Sequence, residues 1–292
     1  MWVENLMDKK VVTKWCKENG ILFVLIGVIL VVFFKPFAYM IAEWRQRLYS
    51  SYTPGPFVPI VSAYIIWQKR KELMKATIKP TYWGMVIIVP SLVLHIFAQI
   101  GDFQRISIVC FITLLLGLLL ITYGFQVTKQ LSFAIVFLIF MVPMEFLDGS
   151  FGVPLRIIAS KWAAGILDII GFQVVRIGTQ IDMVDIFSFD VAAPCSGLKS
   201  LVSLTALGFA FAYLTQAKIW KRSVLILAAI PIAIMANVLR VVMIGLVAAT
   251  LGPDQALGFF HMFSGFFLFT FALIALTGLG RLLSWSPKNL LS

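Results

Sequence analysis

Long apolar runs follow one another along this chain, separated by short stretches that contain charges or Gly and Pro, and this pattern most constrains the fold. Of the 292 residues, 61% are hydrophobic and only 13% are charged, whereas a soluble domain is about half apolar and about a quarter charged. A transmembrane helix needs about 20 mainly apolar residues. The sequence therefore predicts an all-α, polytopic integral membrane protein without an appended soluble module.

We predict about eight transmembrane helices, at residues 21–42, 55–67, 82–99, 106–127, 131–146, 196–216, 223–249 and 259–280. The second is the weakest of these predictions, since its apolar part from Phe57 to Trp67 is short and contains Pro59. It crosses the membrane, or is tilted, broken or re-entrant. The predicted organisation is a tail at 1–20, a single membrane domain at 21–284 and a second tail at 285–292.

The basic residues indicate the orientation of these helices. If the second segment crosses, all the basic clusters fall on one side of the membrane: Lys9–Lys17, Lys69–Lys79, Lys218–Arg222 and Arg281–Lys288. The positive-inside rule makes that side, and both termini, cytoplasmic. The net charge of +11 is explained by this topology, and no basic face or arm indicates a nucleic-acid partner.

The same topology makes residues 147–194 a large extracytoplasmic loop. Within it, apolar residues at helical spacing from Pro154 to Ile170 predict an interfacial helix. Residues Val174 to Val191 alternate as in a pair of strands, with Gly178 at the turn.

Three chemically reactive or charged residues occur at similar predicted depth near the outer surface. Cys195 lies in the sequence A-P-C-S-G-L at the start of the sixth span, Arg240 lies in the outer third of the seventh, and His261 opens the eighth. A thiolate nucleophile, an imidazole that moves protons and a guanidinium that holds negative charge together suit acyl transfer. The sequence therefore predicts a thiol-dependent active site.

Neighbouring residues have candidate supporting roles. Ser196 and Gly197 follow the cysteine near a helix start, where free backbone N–H groups lower a thiol pKa or form an oxyanion hole. Asn237, one turn before the arginine, hydrogen-bonds across helices or orients the guanidinium.

Each candidate also has a purely structural explanation. A lone membrane cysteine is usually a small apolar filler, and His261 or His95 alone is more often structural. Arg240 is harder to explain structurally, because an arginine inside a membrane helix costs a few kcal/mol. Cys16, Cys110 and Cys195 share no metal-ligand spacing, so we expect no metal, cofactor or disulfide.

The motifs resemble those of a known family. The segments A-P-C-S-G-L-K-S at 193–200, A-N-V-L-R-V at 236–241 and H-M-F-S-G at 261–265 are similar, in order and placement, to the three signature segments of the exosortase/archaeosortase family. An earlier stretch, Y-T-P-G-P-F-V-P-I followed by W-Q-K-R-K, resembles that family's second segment. A histidine at position 261 resembles the bacterial exosortases.

This resemblance implies a membrane-embedded cysteine peptidase or transpeptidase of the bacterial inner membrane, with Cys195 as nucleophile and Arg240 and His261 as its partners. Its implied substrates are membrane-anchored exported proteins with a C-terminal sorting signal of the PEP-CTERM type, in which a short motif precedes a transmembrane helix and a basic tail. Besides the lipid bilayer, the implied partners include an acceptor nucleophile that resolves the thioester.

Two other classes of function are compatible with the composition. In a transporter, Arg240 and Asn237 would line a substrate path, but that class predicts polar residues at several depths and an internal repeat, neither of which stands out. A non-catalytic component of exopolysaccharide or envelope assembly would tolerate loss of the thiol.

Overall fold

The computed structural model describes residues 20–48, 55–143, 152–184, 186–191, 198–257 and 259–284, with backbone alone at 20–23, 46–48, 198–200, 257 and 259–264. The chain divides into two compact units: Met1–Glu43 with Ala76–Ser132, and Trp44–Lys75 with Phe133–Ser292.

The described chain is mainly helical, with one small sheet. In chain order its α-helices are α1 Gly20–Val32, α2 Phe34–Leu48, α3 Val58–Gln68, α4 Arg70–Leu73, α5 Trp83–Ile100, α6 Gln104–Tyr123, α7 Phe125–Phe137, α8 Val153–Ile170, α9 Leu198–Thr215, α10 Ile219–Leu251, α11 Pro253–Leu257 and α12 Phe259–Ser284. Short 3₁₀ turns occur at Gly55–Phe57 and Leu138–Met141. The strands are β1 Val174–Ile177, β2 Gln180–Met183 and β3 Phe187–Asp190.

In the first unit, the chain bends by 63° between α1 and α2. Pro36 explains the bend, because a proline lacks the N–H that would bond the carbonyl four residues earlier, that of Val32, and its ring clashes with that carbonyl. Beside the bend, the imidazole ring of His95, in α5, lies 4.2 Å from the ring of buried Phe33. His95 thus stabilises the bend, in agreement with a structural role.

The α5–α6 hairpin turns at Asp102, a non-glycine residue with φ of 56°. Its carboxylate accepts hydrogen bonds from Lys35 Nζ at 2.8 Å and from Gln104 Nε2 at 2.7 Å, and these bonds hold the pKa of Asp102 below its usual value. The two helices approach closely where a Cβ on Gly84 would lie 2.5 Å from the Gly117 carbonyl oxygen. Small residues therefore set the helix spacing here.

In the second unit, helix α8 and the sheet pack on the C-terminal half of α10. The sheet is antiparallel in the order β1-β2-β3, and Ile181 and Met183 on one face of β2 join Leu167 of α8 and Val241 and Ile244 of α10 in a buried core. Exposed and buried side chains alternate along β2 because successive side chains of a strand point to opposite faces of the sheet.

The helix and the strand pair predicted within residues 154–191 are present, whereas the position of this stretch outside the membrane stays a prediction. The predicted helix at Pro154–Ile170 is α8, and the predicted strand pair is β1 and β2, with Gly178 in the turn at φ of 62°. The prediction missed the third strand, β3, which pairs with β2 from Gln180↔Asp190 to Met183↔Phe187.

By length and composition, four helices of the described chain are able to span a membrane: Trp83–Ile100, Gln104–Tyr123, Ile219–Leu251 and Gly265–Ser284. The bent pair Val24–Val32 and Phe34–Arg45 makes a fifth if it is one span, and Phe125–Met141 and Leu201–Thr215 are shorter apolar helices. Helix α3, with 11 residues, is as short as the sequence indicated. The protein is thus an all-α polytopic membrane protein, while eight spans and the side on which the loop lies stay predictions.

Several helix boundaries differ from their predicted positions, most clearly where the spans predicted at 106–127 and 131–146 are the helices Gln104–Tyr123 and Phe125–Phe137. The span predicted at 106–127 ends at Tyr123, because Gly124 has φ of 80° and a Cβ there would collide with the carbonyl of Lys79. Only glycine adopts this conformation readily, so the next helix begins at Phe125.

Candidate active site

The structure describes part of the predicted site. Arg240 and Asn237 lie in α10 with their side chains described, and His261 is the third residue of α12, described by its backbone. Three predicted site residues lie outside the described chain: Cys195, Ser196 and Gly197. Helix α9 begins at Leu198, three residues after the cysteine.

Arg240 is buried within the second unit, with 8% of its surface exposed, and Asn237 is 2% exposed. They lie one helical turn apart, so their side chains share one face of α10. Their neighbours along the helix, Val238 and Val241, belong to the core that α10 forms with α8 and the sheet. A charged side chain in such apolar surroundings is costly, and within membrane helices such residues are usually functional.

Asn237 lies where three helices meet. It borders a small cavity of about 10 Å³ together with Leu155 and Ala159 of α8 and Leu201 of α9. That volume accommodates about one water molecule. The asparagine therefore lies beside the first turn of α9, one turn along α10 from Arg240.

Two layers of packed side chains define the register of α9, α10 and α12. In the first layer, Leu204 of α9 packs with Ala233 and Ala236 of α10 and with Leu268 and Ala272 of α12. In the second, Ala212 packs with Leu225, Ala229 and Leu276. Residue numbers rise from the first layer to the second in α9 and α12 and fall in α10, so α10 runs antiparallel to the other two helices.

This register brings three helix segments to one level. At about 1.5 Å per residue, Leu198 lies roughly 9 Å, Arg240 roughly 6 to 11 Å and His261 roughly 11 to 17 Å beyond the first-layer residues of their own helices, all in the same direction. The start of α9, the buried arginine and the start of α12 therefore occupy the same end of the three-helix assembly.

An open apolar cavity of about 350 Å³ lies in the second unit. Along the helix axes it extends from the first packing layer towards the second. Its rim includes Phe57 and Phe266, which are 63% and 62% exposed. Its buried floor includes Val58 of α3, Phe137 of α7, and Ser203 and Ala206 of α9.

The sequence did not indicate this cavity. Ser203, Ala206 and Ala210 repeat at helical spacing, which signals close helix packing, but the spacing does not show which helices line the opposite wall.

Comparison with known proteins gives one match. A family model described as transmembrane exosortase (Exosortase_EpsH) matches residues 44–278. No curated protein and no solved structure matches the chain. The matched stretch covers well over half of the chain and includes Cys195, Arg240 and His261. The chain therefore belongs to the transmembrane exosortase family.

Proposed function

We propose that the protein is a cysteine peptidase or transpeptidase of the bacterial inner membrane, which cleaves C-terminal sorting signals of the PEP-CTERM type from exported proteins at the extracytoplasmic face. The observation that carries the proposal is the common level of the α9 start, Arg240 and the α12 start, set by the two packing layers. The family match over 44–278 is consistent with it.

In the proposed reaction, Cys195 is the nucleophile. Its thiolate attacks the carbonyl carbon of the scissile peptide bond and forms a tetrahedral oxyanion. When this intermediate collapses, the C–N bond breaks, the amine leaves with a proton, and a thioester to Cys195 remains. Water or an amine acceptor then attacks the thioester and restores the thiolate.

His261 moves the protons in this scheme. As a base it takes the proton of the thiol, and as an acid it delivers a proton to the leaving amine. An imidazole suits both steps because its unperturbed pKa lies near neutrality.

Arg240 holds the developing negative charge. Its guanidinium offers several N–H donors in a fixed fork. Asn237, one turn away and 2% exposed, orients that fork, and the backbone N–H groups at Ser196 and Gly197 supply further donors to the oxyanion.

The distribution of basic residues indicates on which side of the membrane the proposed site lies. Helix α9 leads from the level of the candidate site to a turn followed by Lys218, Lys221 and Arg222. The positive-inside rule places that turn in the cytoplasm and the site at the opposite surface. There, α8 and the sheet, packed against the outer half of α10, form an extracytoplasmic cover beside Arg240.

The apolar cavity suits the membrane-embedded part of such a substrate. Phe266 on its rim is five residues, or about 7.5 Å of helix, from His261. If the scissile bond of the substrate lies at the level of Arg240, the first turns of the substrate's transmembrane helix lie beside this opening. We place apolar side chains of that helix in the cavity.

The test is co-expression of the protein with a tagged substrate that ends in a sorting signal, followed by mass spectrometry of the new C-terminus. Cys195→Ala and Cys195→Ser should abolish processing while the protein still accumulates in membranes. Cys16→Ala and Cys110→Ala are matched controls, since neither thiol has a role in the scheme. Near-normal processing by Cys195→Ala would overturn the proposal.

A further inference from the structure

A second group of charged and aromatic side chains lies in the second unit, at the far end of α9 from the candidate site. Its centre is the ring of Tyr213. The ring of Phe133 stacks on it at 3.7 Å between centroids and 4° between planes. The guanidinium carbon of Arg222 lies 4.6 Å from the same centroid and Lys69 Nζ lies 5.4 Å from it. Lys69, Tyr213 and Arg222 are called the basic cluster below.

The arginine of the basic cluster is held in a fixed orientation. Its Nε donates to the Gln216 carbonyl at 2.6 Å, and Gln216, itself 6% exposed, reaches the Gly280 carbonyl of α12 through Nε2 at 3.4 Å. A guanidinium has further N–H donors besides Nε. The described residues provide no other hydrogen-bond acceptor for them, so these donors are available to a ligand.

The charges of the basic cluster are not balanced by nearby acids. Within the described part of the chain, the only carboxylate within ion-pair distance of either cation is Glu72, whose Oε2 is 4.0 Å from Lys69 Nζ. Its side chain is 68% exposed, so solvent screens this pair strongly. Two cations thus face one ring with little compensation, and an anion bound between them would relieve their repulsion.

The surroundings place the basic cluster at a bilayer interface. Helix α9 has 18 residues, about 27 Å at 1.5 Å per residue, which is close to the thickness of the hydrocarbon core. Trp67 and Trp220, on the same chain segments as Lys69 and Arg222, are 56% and 55% exposed. Exposed tryptophans are typical of the headgroup level of a membrane.

We propose that the basic cluster binds the phosphodiester headgroup of an anionic phospholipid such as phosphatidylglycerol. The fork of Arg222 contacts two phosphate oxygens, as guanidinium groups commonly do, and Lys69 adds a point charge. The neighbouring tryptophans lie at the level of the lipid headgroup. This site is separate from the proposed cleavage reaction and does not depend on it.

The test measures lipid binding to the purified full-length protein in mild detergent by native mass spectrometry, with phosphatidylglycerol and phosphatidylcholine as probes. A basic residue near a membrane surface typically contributes about 5-fold to anionic-lipid binding. Lys69→Gln with Arg222→Gln should therefore weaken phosphatidylglycerol binding roughly 25-fold and leave phosphatidylcholine binding unchanged.

The matched control is Lys71→Gln with Lys75→Gln, which removes the same charge from exposed positions in the same stretch of chain. It should change binding by less than about 2-fold, because these exposed charges do not contact the phosphate and are screened by salt. If Arg222→Gln prevents folding, Lys69→Gln against Lys71→Gln gives the same comparison. An equal effect in both pairs, or unchanged binding in the first, would overturn the proposal. Displacement of the lipid by inorganic phosphate would assign the basic cluster to a soluble anion and would also overturn it.

Discussion

Replacement of Arg240 by lysine separates the geometry of this residue from its charge. Arg240→Lys keeps a cation on the same face of α10, so insertion and packing of the helix should change little. What it removes is the planar fork of donors, because an ammonium on a flexible stem cannot reproduce two parallel hydrogen bonds to one developing oxyanion.

The expected loss follows from burial. Arg240 is 8% exposed, so water has little access to replace a donor that the substitution removes. In a site of this kind, loss of one oriented donor to an oxyanion costs about 10² to 10³ in kcat, or about 3 to 4 kcal/mol. Because lysine retains the charge, we expect Arg240→Lys near the lower end, a loss of about 100-fold.

The assay compares the rate of substrate cleavage in membranes, normalised to the amount of enzyme by immunoblot. The matched control is Arg281→Lys, the same substitution at an exposed residue near the end of α12, which should cleave at the wild-type rate. Full activity in Arg240→Lys would refute the argument that a fixed fork of donors stabilises the oxyanion.

Three further predictions concern topology, proton transfer and the apolar cavity. A reporter fused after Lys75 should be cytoplasmic and one near Gly171 extracytoplasmic; a cytoplasmic result at Gly171 would contradict the proposed face of the site. His261→Gln should slow cleavage by about 10² to 10⁴ and alter its pH profile, and an unchanged rate and profile would exclude His261 as the proton carrier. Ala206→Trp, which fills the cavity, should reduce cleavage in membranes, whereas Leu227→Trp on the exposed surface of α10 should not; equal cleavage by both variants would remove the cavity from substrate binding.

The membrane class was predictable from the sequence because it depends on local patterns. Apolar run lengths determine which segments suit a bilayer, and counting residues along each run places Arg240 and His261 at similar depth. The packing layers of α9, α10 and α12 give the same level for the backbones of these two residues. The position of Cys195 relative to Arg240 and His261 stays a prediction.

Other features depend on contacts between distant segments, which run lengths do not encode. Pro36 is visible in the sequence, but the packing of His95, a residue of another helix, against Phe33 at the bend is not. Strand β3 was missed because it is defined by its hydrogen bonds to β2, and the sequence pattern does not show which segments pair. The apolar cavity arises only where α3, α7, α9 and α12 line a common space, and the spacing of Ser203 and Ala206 does not reveal this.

Direct capture of the thioester on Cys195 is the measurement that tests the central claim most directly. The purified enzyme is mixed with a sorting-signal substrate, quenched in acid, and analysed by intact and peptide mass spectrometry, with hydroxylamine added to a parallel sample. The account predicts that Cys195 gains the mass of the substrate fragment on the N-terminal side of the cleaved bond and that hydroxylamine releases this fragment, since it attacks thioesters. Cleaved substrate without any such adduct on Cys195, or an equally processed substrate with Cys195→Ala enzyme, would contradict a thiol nucleophile at this position.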